Sequence, residues 1–190
     1  MPLPTPAPRH LLNRREINCE GFAREDGLID VEGRLRDSRG YDIAPSIGRP
    51  VKQGDAVHDM WVRLTIDQTL TVRAVECATD STPYGTCQQA APNMQRLVGI
   101  NVSAGFKKEV HARIGGTAGC THIVSLVEAM ATVAMHAVFE SRRSQGREAM
   151  TSIFKATKDG RPPLLDSCIS HAADSPVVAK LWPDFYRKPG

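Results

Sequence analysis

The stretch GGTAGCTHI, residues 115–123, sets a thiol and an imidazole, Cys120 and His122, between a glycine-rich loop and a long apolar run. A cysteine at a helix start meets unpaired N–H groups and the positive end of the helix dipole. Both favour the thiolate, the form that binds metal or attacks carbon. Cys87 lies at a comparable boundary, where an extended run gives way to helical spacing, and His58 begins an extended run directly before Asp59. His58, Cys87 and Cys120 are therefore the expected metal ligands, for Zn²⁺ or, as the alternative, Fe. Three protein ligands leave a fourth position open, the arrangement of catalytic zinc, where the metal acts as a Lewis acid. Cys168 or Asp59 in that fourth position would close the site and make it structural. The cysteines form no C-x-x-C pair and follow no zinc-finger spacing.

Acid–base groups to accompany such a site are Asp59, Asp80, Tyr84 and His122, with His171 as an outlier in the C-terminal tail. Each has a plainer reading. Asp80 is a turn or cap residue, Tyr84 a loop aromatic, and His122 a helix residue one turn in. Glu32 and Arg34 share a polar strand face with Asp30; they are a substrate-binding wall or simply a solvated surface. The remaining cysteines, Cys19 and Cys77, sit inside strand-like runs and read as buried thiols. Five cysteines, an odd number, argue against a disulfide framework.

The elements that must position these groups come in two kinds. Residues 15–39 read as a hairpin around REDG, with Leu28, Asp30, Glu32 and Arg34 alternating against Ile29, Val31, Gly33 and Leu35. Residues 58–80 read as a second hairpin, with Met60, Val62, Leu64 and Ile66 on one face. The period then becomes helical over 87–99, with Pro92 near the first turn, and over 103–116 and 121–140, where Thr121 is the expected cap. The class is α+β: an antiparallel sheet of about four strands packed against two to three helices.

The chain has 190 residues, a net charge of +3 and scattered Lys and Arg, which is not the profile of a nucleic-acid binder. No G-x-G-x-x-G or Walker sequence appears, and GGTAG follows a helix rather than a strand, so no dinucleotide or ATP site is expected. No membrane span and no signal peptide are expected, which points to the cytoplasm. Residues 1–15 form a proline-rich arm, 16–140 an α+β metal-site domain, and 141–190 a variable connection and C-terminal extension of the same domain.

Two resemblances bear on these residues. Over 50–140, the order of hairpin, cysteine-led helix and second cysteine-led helix resembles the iron–sulfur scaffold family of the IscU, SufU and NifU type, implying a SufE/NifU-like fold. On that likeness His58 takes the place of an aspartate ligand, Cys87 and Cys120 take two cysteine places, and the first cysteine falls on Ala56. Separately, REDGLIDVEGRLRDSR, VHDMWVRLTID, GGTAGCTHI and RPPLLDSC together resemble the bacterial family DUF2889. That resemblance implies a setting in catabolism of plant-derived aromatics and a link to loss of a hydroxymethyl carbon as formaldehyde from lignin-derived dimers. The expectation is a metal-dependent lyase acting on a small aromatic substrate, with no nucleic-acid or membrane partner and with a homo-oligomer as the assembly. The alternative is a metal- or sulfur-handling binding module derived from the scaffold fold.

Overall fold

The computed structural model describes residues 3–103, 105–144, 160–162 and 164–188. Strands β1 (Asn13–Ala23), β2 (Ile29–Arg39), β3 (Ala56–Ile66) and β4 (Val72–Ser81) form one antiparallel sheet in sequence order. The alternation read in the sequence is the physical reason for their pairing. Ile29, Val31 and Leu35 of β2 are buried, as are Met60, Val62, Leu64 and Ile66 of β3, while Trp61 and Arg63 point outward. With the helices on the apolar face, the class is α+β as expected.

The segment read as a first helix differs in kind. Gly85–Leu97 winds as a 3-10 helix with Pro92 inside it. Proline has no N–H to give and its ring crowds the carbonyl four residues back, so an α-helix interior is closed to it. The tighter winding still buries Met94 and Leu97, three residues apart. Helix α1 (Phe106–Ile114) buries Phe106, Val110 and Ile114 at the four-residue interval its sequence shows.

Helix α2 (Thr121–Ser144) lays Ile123, Leu126, Val127, Met130 and Ala134 into the core. By length and composition it is apolar enough to cross a membrane, but this stripe is used against the sheet. It can come close because β2 and β1 present glycine beneath it. A Cβ on Gly33 would lie 2.8 Å from Met130 Sδ and 2.9 Å from a Leu126 methyl, and one on Gly21 would lie 2.8 Å from Ala137 Cβ. The helix therefore passes diagonally over β2 and β1, which fixes where its first turn falls.

Contacts divide the chain into Met1–Val138 and Phe139–Gly190. In the second unit, α3 (Pro176–Leu181) starts from Ser175, whose hydroxyl accepts the Val178 N–H at 3.2 Å, with Pro176 in the first turn. The polar connection expected after residue 140 falls largely on 145–159, outside the described residues.

Candidate metal centre

The buried face of β2 runs Ile29, Val31, Gly33, Leu35 and then Asp37. A carboxylate thus continues an apolar phase. Asp37 is opposite Arg15 of β1 on one side and opposite His58 of β3 on the other. Directly opposed residues in an antiparallel sheet share a face, so Arg15, Asp37 and His58 form a row across three strands. Arg15 donates to both Asp37 oxygens, Nε to Oδ1 at 2.8 Å and Nη2 to Oδ2 at 2.7 Å. His58 Nδ1 stands 3.0 Å from Asp37 Oδ2.

His122 reaches this row from above. It shares the helical stripe of Leu126 and Met130 at four-residue spacing, and its ring stacks on His58 with centroids 3.7 Å apart. Its Nε2 lies 3.7 Å from Asp37 Oδ2 and its Nδ1 3.6 Å from Cys120 Sγ. Asp37, His58 and His122 can each offer a ligand atom within 4.8 Å of the others. One carboxylate and two imidazoles is a donor set suited to catalytic zinc or non-haem iron.

The electrostatics favour the ligand forms. Burial pushes the Asp37 carboxyl up, but the Arg15 hydrogen bonds and charge outweigh it and hold Asp37 below the usual carboxylate value. Burial, helped by the Arg15 and Arg39 charges, pulls His58 below its ordinary value although Asp37 acts upward, which favours the neutral imidazole. For Cys120, burial acts upward, yet the His122 hydrogen bond and the N–H groups of Ile123 and His122 bring the thiol below its ordinary value. Cys77 shows the opposite outcome: burial, with Cys120 nearby, pushes it up to about 11.

The glycine loop sets the height of Cys120. A Cβ on Gly119 would sit 2.1 Å from the Ile114 carbonyl oxygen, so no other residue fits there without moving backbone. The first bond of α2 runs from Val124 N–H to the Cys120 carbonyl at 2.9 Å. Cys120, and not Thr121 as the sequence suggested, is thus the residue from which the helix starts. Asn93 ties the 3-10 segment to this loop by donating to the Ala118 carbonyl at 2.8 Å.

A cleft of about 510 Å³ opens beside the cluster, and His58, Tyr84, Cys87, Asn93, Cys120 and His122 are among its walls. Among the described residues, its lining contains no Asp, Glu, Lys or Arg. Of the residues singled out from sequence, His58, Tyr84, Cys87, Cys120 and His122 thus share one cleft. The group near enough to share an ion draws on Asp37 and His122 with His58, while Cys87 and Cys120 stand along the cleft wall.

The other named residues lie elsewhere. Asp59 is held by Arg34 at 2.8 and 2.7 Å, and Arg34 lies over the Trp61 ring at 4.4 Å. Trp61 Nε1 donates to Asp80 at 3.0 Å, and Arg63 donates to Glu32 at 2.8 Å. These groups form an ion-paired lattice on the sheet's outer face, apart from the cleft. Cys168 belongs to the second unit, where its sulfur is 3.4 Å from His171 Nδ1.

The family model described as protein of unknown function (DUF2889) covers residues 13–136, a span that includes Arg15, Asp37, His58, Cys87, Cys120 and His122. The stretch RPPLLDSC lies beyond it. No curated protein matches, and no solved structure matches, so the likeness to iron–sulfur scaffolds gains no support.

Proposed function

The chain belongs to the DUF2889 family, and from the site within that span we propose that it is a metal-dependent small-molecule lyase acting on plant- or lignin-derived aromatic compounds, releasing formaldehyde from a hydroxymethyl group. The observation that carries the reading is a buried carboxylate and two imidazoles, within 4.8 Å of one another, beside an open cleft. The cleft volume suits a small ligand, and its uncharged walls suit a neutral aromatic alcohol better than a phosphate or a coenzyme.

Asp37, His58 and His122 would hold the metal, Zn²⁺ or alternatively Fe. Bound there, it would supply Lewis acidity toward a substrate oxygen. Arg15 keeps Asp37 charged and oriented, and Tyr84, half exposed, lines the cleft. Cys120 would accept the hydroxyl proton of the substrate, a role supported by its contact with His122 and its lowered thiol value. As that proton leaves, the C–O bond becomes C=O and the adjoining C–C bond breaks. The electron pair of the broken bond passes to the neighbouring carbon and on to a carbonyl or leaving group in the substrate. The cytoplasm is the compartment of this reading, in keeping with five unpaired cysteines.

The test is formaldehyde release from hydroxymethyl-bearing diaryl dimers by the metal-loaded protein. The reading expects release that a chelator abolishes and that His122→Ala lowers at least about a hundredfold, the scale of a lost catalytic group. No release across such substrates would favour a second reading, a sulfur- or metal-handling module. That reading draws on the Cys120 thiol, held low beside His122 in an open cleft. It expects metal to be retained without turnover.

A further inference from the structure

Strand β1 is an edge. It pairs with β2 over eleven residues without a register shift, and among the described residues no strand pairs its other side. Ten of its eleven residues are exposed; Cys19 alone is half-buried. Native sheets protect such edges with proline, bulges, charged side chains (lysine above all) or a covering element; the outward charges here, Arg14, Glu16 and Glu20, are of both signs and so can pair across two copies. The run NRREINCEGFA has no proline and no lysine, and no bulge interrupts it. Its inward-facing charge, Arg15, is already matched by Asp37. Exposed apolar side chains stand along it as well: Leu12 just before the strand, then Ile17 and Phe22.

We infer that β1 is the surface through which two copies of this chain join, antiparallel about a two-fold axis at Ile17, into one eight-stranded sheet. The register follows from the side chains. An axis perpendicular to the sheet keeps each residue on its own face, so opposed positions must sum to an even number. With the axis at Ile17, Arg14 faces the partner's Glu20, and by symmetry this ion pair occurs twice. Leu12 faces the partner's Phe22, again twice, and Ile17 meets the partner's Ile17. Moving the axis to Asn18 sets Glu16 against the partner's Glu20, like charges directly opposed. Moving it to Glu16 sets Glu16 against itself and Leu12 against the partner's Glu20. Of these three registers, the Ile17 one matches charge with charge and apolar with apolar. It also turns the edge carrying Arg15 into sheet interior, so assembly would shelter the Arg15–Asp37 clamp.

A charge-swap series followed by sedimentation equilibrium tests this on the full chain. Arg14 and Glu20 are solvent-exposed and lie outside the cleft, so their exchange leaves the fold and site intact. The expected result is a dimer whose dissociation constant rises at least about tenfold in Arg14→Glu and in Glu20→Arg, since each change opposes like charges twice. The double variant Arg14→Glu/Glu20→Arg restores wild-type dimerisation. A monomer at all concentrations overturns the proposal. So does a dimer that neither single change weakens, and so does a double variant no tighter than the singles.

Discussion

Arg15 and Asp37 face each other across the outermost strand pair, and the guanidinium closes on both carboxylate oxygens at 2.8 and 2.7 Å. The charge that keeps the buried carboxylate ionised comes from a strand whose other side pairs with no strand among the described residues. Asp37 in turn holds His58 at 3.0 Å, so the geometry of the site begins at the sheet edge.

Arg15→Ala leaves Asp37 buried with only the imidazoles for partners. Removing one member of a buried, hydrogen-bonded pair destabilises strongly, but the Arg15 side chain is 40% exposed, which reduces the loss. The expected cost is about 1–3 kcal/mol in urea unfolding. Arg15→Lys recovers less than half of it, because an ammonium cannot fork across two oxygens. Full recovery by lysine would contradict the clamp.

The loop before α2 gives a sharper backbone test. Gly119→Ala puts a methyl where the Ile114 carbonyl oxygen lies 2.1 Å away. Backbone must move, at about 2–3 kcal/mol, and Cys120 moves with it. Gly33→Ala meets side-chain atoms only, Met130 Sδ at 2.8 Å and Met130 Cγ and a Leu126 methyl at 2.9 Å, which can shift where backbone cannot, and is expected to cost less. Thermal unfolding of the two variants checks the order; Gly33→Ala as the more damaging change would contradict it.

The thiols separate by environment. Cys77, pushed up to about 11 by burial with Cys120 nearby, stays protonated at neutral pH, whereas Cys120 is held below its ordinary value by His122 and the helix N–H groups despite burial. Alkylation followed by peptide mass spectrometry at about pH 8 is expected to modify Cys120 well before Cys77, since the thiolate is the reactive form. Equal rates, or Cys77 first, would contradict the assigned environments.

Acid sensitivity follows from His58. Burial holds its folded-state value below the ordinary 6.5 despite Asp37, so the unfolded chain takes up this proton at higher pH than the folded chain. The stability due to neutral His58 is complete above about pH 6.5 and is lost as pH falls through that value toward the folded one. The expected result is a Tm that declines on acidification from about pH 7 to about pH 5, and declines less in His58→Gln. A Tm rising over that interval would contradict it.

Much of this was legible in the chain itself. Period-2 runs gave both hairpins, and four-residue spacing gave α1 and α2. Pro92 was visible, but its consequence, a 3-10 helix over Gly85–Leu97, depends on how the segment packs on β4 as well as on the missing N–H. Five residues picked out for chemistry meet at one cleft because strand and helix starts converge there. Asp37 and Arg15 were not singled out, although Asp37 carried a signal: it continues the phase of Ile29, Val31 and Leu35. A carboxylate on a buried phase needs a partner. Which partner depends on β1–β2 register, a non-local pairing that no short window reveals.

Metal analysis of the purified protein tests the central claim most directly. Asp37, His58 and His122 as ligands predict near one Zn or Fe per chain by mass spectrometry of the digested protein. His122→Ala and Asp37→Asn are predicted to lose that metal while circular dichroism shows the sheet and helices retained. Less than about a tenth of an equivalent in the wild type, with no gain on reconstitution with either metal, would contradict the claim.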